Sequence, residues 1–191
     1  MSDYRRAYMP GGQFFLTLVT ERRKPLFADK LNVDRLRHAV ATTISLRPFA
    51  MIGAVILPDH LHWLIELPAG DTDFSTRVGM IKAGFTKQLS PTELPNTARS
   101  LSRVRRRESA VWQRRFWEHT IRDEHDFDAH MNYIHYNPVK HGYVECPHAW
   151  PHSSFGQWVR RGVCRADWAC VCEGRRPIPP NFDSITAFAH E

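Results

Sequence analysis

The chain has 191 residues, 42% of them hydrophobic and six of them tryptophan, with a formal net charge of +6. This is enough apolar material for one domain with a packed core, and the positive balance points to an anionic partner. No apolar run approaches the roughly 18 residues of a membrane span, and Met1-Ser2-Asp3-Tyr4-Arg5-Arg6 leads into no signal-peptide core. No membrane partner is therefore expected, and the expected location is cytoplasmic and nucleoid-associated.

The opening stretch Tyr4-Arg5-Arg6-Ala7-Tyr8 interleaves aromatic and basic side chains, a mixture that can stack on unpaired bases and pair with phosphates. After Gly11-Gly12, the run Phe14-Phe15-Leu16-Thr17-Leu18-Val19-Thr20 predicts a buried strand. Residues 31–46 carry Val33, Leu36, Val40 and Ile44 at helical spacing, with Asn32 as the expected N-cap and Pro48 just past the end. Residues 49–57 predict a second strand. Pro58-Asp59 forms its turn, and residues 60–67 return as the antiparallel partner. Asp71-Thr72-Asp73 starts a second helix reaching about Leu89, whose exposed side is expected to hold Arg77, Lys82 and Lys87. From Ser90 to Ala110 periodicity fails, and the basic run Arg103-Val104-Arg105-Arg106-Arg107 reads as a loop with an electrostatic role. A short fourth strand follows at 118–122. Asp123 then caps a helix that Pro138 is expected to end near Asn137, and an aromatic segment over 153–159 precedes a tail rich in Arg, Cys and Pro.

The order strand, helix, strand, strand, helix, strand, helix predicts an α+β fold. It is a ferredoxin-like βαββαβ antiparallel sheet with helices on one face and an added C-terminal helix. The expected division is a domain over 1–160 and a regulatory tail over 161–191. All four cysteines, Cys146, Cys164, Cys170 and Cys172, lie in the last quarter and include no Cys-x-x-Cys knuckle. They read as free thiols, with a tail zinc site using Cys170, Cys172 and a nearby histidine as the alternative.

Strand alternation places His60 and His62 on one face with Leu61 turned away, so two imidazoles can converge on one metal ion. On the last helix Tyr133 and Asn137, four apart, share a face. An amide oxygen is a competent third ligand for a hard divalent cation, and a phenol beside such a cation can act as a nucleophile. Tyr136 diverges from that face, His135 points elsewhere, and Asp59 and Glu66 read as a turn carboxylate and a solvent-facing strand residue.

His60-Leu61-His62 resembles the HUH motif of the single-tyrosine transposases. Tyr133-Ile134-His135-Tyr136-Asn137-Pro138-Val139-Lys140-His141-Gly142 is similar to the tyrosine-helix motif of their REP-associated branch, as are Tyr4-Arg5-Arg6 and Trp112-Gln113-Arg114-Arg115-Phe116-Trp117-Glu118-His119. The resemblance runs in order over roughly residues 3 to 158 and is weaker in the insert around residues 91–109. It implies a metal-dependent enzyme that cuts and rejoins single-stranded DNA at palindromic repeat hairpins through a covalent 5′-phosphotyrosine. Tyr133 would be the nucleophile, and His60, His62 and Asn137 the ligands of Mg²⁺ or Mn²⁺; relatives often have Gln at the third position. Imidazoles favour Mn²⁺ and availability favours Mg²⁺. Tyr4, Arg5 and Arg6 would read the single-stranded guide, while Arg114 and Arg115 would clamp phosphates. The resemblance also implies a monomer, the alternative being a homodimer that exchanges the tyrosine helix as in the broader family. The rival reading is a non-catalytic protein or repressor that binds DNA or RNA hairpins on the same sheet.

Overall fold

The computed structural model describes residues 11–94, 109–172, 182 and 185. Its centre is a four-stranded antiparallel sheet, β1 (Gln13–Val19), β2 (Ala50–Ile56), β3 (His60–Glu66) and β4 (Trp117–Thr120), in the order β2-β3-β1-β4. With α1 (Lys30–Leu46) between β1 and β2 and α2 (Phe74–Lys87) between β3 and β4, this is the expected ferredoxin-like connection. Helix α3 (Glu124–Lys140) follows β4, and the short α4 (Phe155–Arg160) comes after it.

The strands read as continuous apolar runs because both faces of the sheet are covered. Phe14, Leu16 and Leu18 of β1, with Leu61, Trp63 and Ile65 of β3, pack against Val33, Leu36, Val78, Ile81 and Phe85 of α1 and α2. The alternate residues Phe15 and Leu64, with Val55 of β2, pack against Met131, Tyr133 and Ile134 of α3. The two helices of the βαββαβ unit share one face as expected, while the added α3 lies on the opposite face, the one that carries His60 and His62. Its approach to β2 is close, since a Cβ at Gly53 would lie 2.5 Å from the Met131 sulfur.

Pairing of Thr17 with His62 and of Val55 with His62 puts this histidine on a central strand, flanked on both sides. The free edge of β2 is covered rather than exposed. Ile56 N–H donates to His152 O at 2.9 Å, Ser154 N–H to Ala54 O at 2.8 Å, and the Trp158 indole to Ile52 O at 3.2 Å.

Three local expectations are revised. Asp29, not Asn32, caps α1, its side chain accepting from Leu31 N–H at 2.9 Å, while the Asn32 amide donates to Leu26 O. Helix α3 passes through Pro138 to Lys140: proline removes one backbone bond, yet His141 N–H still reaches Asn137 O and Tyr143 N–H reaches Pro138 O, each at 3.0 Å. Arg77 is not a surface phosphate contact but is 2% exposed. Its guanidinium donates to Asp71 Oδ2 (2.6 Å), Pro48 O (2.8 Å), Asp73 O (2.8 Å) and Arg47 O (3.2 Å), tying the start of α2 to the end of α1. Breaking such a buried charge network leaves several acceptors without partners. Arg77→Met is therefore expected to lower stability by about 3 kcal/mol in chemical denaturation, and an unchanged midpoint would show that this network does not hold the helices together.

Candidate active site

Both histidines are essentially buried, His60 at 1% and His62 at 0% exposure. Buried imidazoles need fixed partners, and each has one on Nδ1. His60 Nδ1 donates to Asp59 Oδ1 at 2.6 Å, and His62 Nδ1 lies 2.9 Å from Thr17 Oγ1 on the neighbouring strand. In both rings Nδ1 is engaged, which leaves Nε2 as the nitrogen that would bind a metal, and at His60 the carboxylate also selects the matching tautomer. Burial pushes the Asp59 carboxyl up, but the hydrogen bond and charge of His60, aided by Arg23 at 3.0 Å, outweigh it and bring the pKa down to about 2. Asp59 is thus an ionised anchor for His60, more than the turn residue expected from sequence.

Helix α3 meets the two histidines with one continuous edge. The Tyr133 ring packs edge-on to His62 with centroids 5.2 Å apart, and the His141 ring does the same to His60 at 5.3 Å. Asn137, midway between Tyr133 and His141, is completely buried. The structure therefore brings Tyr133 onto His62 and His141 onto His60 across some seventy residues of sequence, with Asn137 buried between them along the chain. Two imidazoles with Nδ1 already engaged, plus an amide oxygen and a phenol, form a donor set that suits a divalent cation with a mixed nitrogen and oxygen shell.

Tyr133 is wholly buried, its ring also touching Phe15 (5.9 Å) and Phe182 of the tail (5.3 Å). Lys140, two helical turns on and exposed, places Nζ 3.4 Å from the Tyr133 hydroxyl oxygen and 5.0 Å from the ring centroid. Sequence reading missed Lys140, although its spacing of seven from Tyr133 was a usable signal. Tyr136 turns instead to Phe182 and Trp168 at 5.9 and 6.5 Å, a packing role. His135 bonds Ser154 Oγ at 3.1 Å and stacks edge-on to Phe155 and Trp158, and its burial lowers its pKa to about 4.

A second polar cluster lies behind Phe15, whose ring is 5.4 Å from His62 and 4.8 Å from His130. His119 Nε2 is 2.7 Å and His130 Nδ1 3.1 Å from the Asp126 carboxylate, which Arg122 also contacts at 3.2 Å. Their ligand atoms lie within 4.8 Å of one another, so this trio too could hold a metal. Burial raises the Asp126 carboxyl, but His119 and Arg122 hold it at about 2. The cluster is a hydrogen-bonded and ion-paired network centred on the Asp126 carboxylate.

Arg114 and Arg115 are exposed on the segment leading into β4, and Arg114 borders a 460 Å³ cleft beside α2 with Lys82, Lys87 and Trp112. That cleft lies on the α1/α2 side, away from Tyr133. Tyr4, Arg5, Arg6 and the 103–107 run lie outside the described residues. No helix among the described residues is long and apolar enough to cross a membrane.

Residues 11–137 match the family model described as "Transposase IS200 like", a span that includes both histidines, Tyr133 and Asn137. An Escherichia coli K12 protein named REP-associated tyrosine transposase is 41% identical over 170 residues, covering 88% of this chain and 92% of the relative. A Haemophilus influenzae protein provisionally given the same name is 43% identical over 171 residues, covering 88% and 93%. The solved structure of a REP-associated tyrosine transposase bound to a REP hairpin superposes with a TM-score of 0.73 at 36% identity, covering 95% of this chain and 98% of that one. The chain belongs to the IS200-like transposase family and, within it, to the REP-associated tyrosine transposases.

Proposed function

We propose that this transposase is a metal-dependent nuclease and strand transferase that acts on single-stranded palindromic repeat hairpins through a 5′-phosphotyrosine. The observation that carries the reading is the packing of Tyr133 on His62, with Asn137 one turn further along the same buried edge. The Tyr133 oxygen attacks the scissile phosphorus, a tyrosine–phosphate bond replaces the bond to the 3′ oxygen, and the 3′ hydroxyl leaves ready to reverse the step. A divalent cation, Mg²⁺ or Mn²⁺, held by His60, His62 and Asn137 would neutralise a non-bridging phosphate oxygen. Asp59 and Thr17 keep the two rings oriented, and the Lys140 ammonium lies beside the attacking oxygen, where it stabilises charge in the transition state. Hairpin DNA as the substrate rests on the relative bound to a REP hairpin. Tyr4, Arg5 and Arg6 are assigned to the single-stranded flank, and Arg114 and Arg115 to backbone phosphates. The form assigned here is a monomer in which α3 meets the histidines of its own chain, the alternative being a homodimer that exchanges α3. Phe182 lies over Tyr133 and has to move before DNA can reach the nucleophile, which supports a regulatory role for the tail over 161–191.

Incubating the protein with a labelled hairpin and Mn²⁺ is expected to give a covalent protein–DNA adduct that chelator or Tyr133→Phe abolishes, while Phe182→Ala forms it faster. Hairpin binding with no adduct under any metal condition would favour the non-catalytic alternative, and an adduct with Tyr133→Phe would remove this residue as nucleophile. Lys140→Ala is expected to slow adduct formation about 10-fold or more while leaving hairpin binding in place, because it removes the charge beside the attacking oxygen; Lys140→Arg should keep most of the rate. A matching loss of hairpin affinity would assign Lys140 to DNA binding instead.

A further inference from the structure

Beyond Tyr133 the most concentrated chemistry is in the tail. The expectation of four free thiols is corrected, because Cys146 and Cys170 are joined as a disulfide while Cys164 and Cys172 are free. A disulfide accounts for only two of the groups gathered there. Cys172 Sγ lies 3.3 Å from Cys146 Sγ, and His148 Nδ1 lies 3.8 Å from Cys170 Sγ. Tetrahedral zinc, with bonds of about 2.3 Å to sulfur and about 2.0–2.1 Å to nitrogen, separates its ligands by about 3.5–3.8 Å. Two short Cys-x-His and Cys-x-Cys segments meet face to face, held in register by Val171 N–H donating to Glu145 O at 2.8 Å. Ala169, directly before Cys170, sits at φ 53°, a left-handed conformation costly for a residue with a Cβ and expected only where the surroundings hold it. Trp168 anchors the same turn against Phe155 and Tyr136.

We propose that Cys146, His148, Cys170 and Cys172 form a structural zinc site when the chain is reduced. A dithiol reduces the Cys146–Cys170 bond, giving two cysteine thiols and its own disulfide. Zn²⁺ then binds three thiolates and one neutral imidazole with release of three protons, leaving a site of net charge −1. His148 Nδ1, now donating its proton to Ala166 O at 3.0 Å, exchanges that carbonyl for the metal as the ring proton moves to Nε2. The site closes the loop between the end of α3 and the tail, ten residues before Phe182 reaches Tyr133. It thereby sets where the tail begins its return to the nucleophile.

The test uses the full chain purified under dithiol reductant, with Co²⁺ as the spectroscopic probe and zinc counted by elemental analysis. About one zinc per chain is expected, together with a thiolate-to-cobalt charge-transfer band. Such a band cannot come from the sulfur-free His60, His62 and Asn137 set, so its presence or absence is independent of the proposed cleavage reaction. Cys172→Ser and His148→Ala should each weaken metal retention against a chelator at least 10-fold, while Cys164→Ser should not. A reduced chain that takes up no zinc and shows no sulfur band overturns the proposal. So does a disulfide, read as a mass lower by two hydrogens, that survives the reductant with Cys172 and His148 indifferent to metal.

Discussion

Much of this structure follows from burying two imidazoles and a phenol between a central strand and a helix laid across it. Polar rings in that position cost free energy unless their hydrogen-bonding atoms are committed. Thr17 and Asp59 meet that demand for His62 and His60, and in doing so they fix which nitrogen of each ring would face a metal. The sheet order puts β3 beside β1, so the threonine that holds His62 comes from the neighbouring strand in register. Helix α3 must then cross at the height of the histidines, with Gly53 and Met131 in close contact where it passes β2. A helix ending at Asn137 would not carry Lys140 and His141 to their contacts, which is the structural consequence of continuing through Pro138.

The parts legible in sequence were those written in a short period. The apolar run of β1, alternation in β3, helical spacing in α1 and α2, and the four-residue step from Tyr133 to Asn137 all express local geometry, and the folded chain has each of them. What was illegible depends on contacts between distant segments. Arg77 looks like any exposed helix cation until the carbonyls of Arg47 and Pro48 fold over it. Asp59 looks like a turn former, and its service to His60 depends on the rotamers of both. The placement of α3 on the second face was hinted at by the unbroken apolar run Phe14-Phe15-Leu16, because a strand with one wet face would alternate. The cysteines were hardest to read: their sequence spacing matches no zinc knuckle, and their proximity arises only because the tail turns back at Ala169.

The molecule therefore carries two metal-capable histidine groups on one face of its sheet, and they differ in kind. His119, Asp126 and His130 already satisfy one another, with a fixed carboxylate at the centre and Arg122 beside it. His60 and His62 are instead oriented from behind, each by a partner on Nδ1, and Tyr133 packs directly against the pair. On that contrast the proposed function gives the first group a structural role and the second the chemistry.

Anomalous diffraction from crystals of the protein with hairpin DNA and Mn²⁺ separates these assignments directly. The account predicts one manganese peak within bonding distance of His60 Nε2, His62 Nε2 and Asn137 Oδ1, with the scissile phosphate between it and the Tyr133 hydroxyl. A peak at His119, Asp126 and His130, with none at the His60–His62 pair, would contradict it.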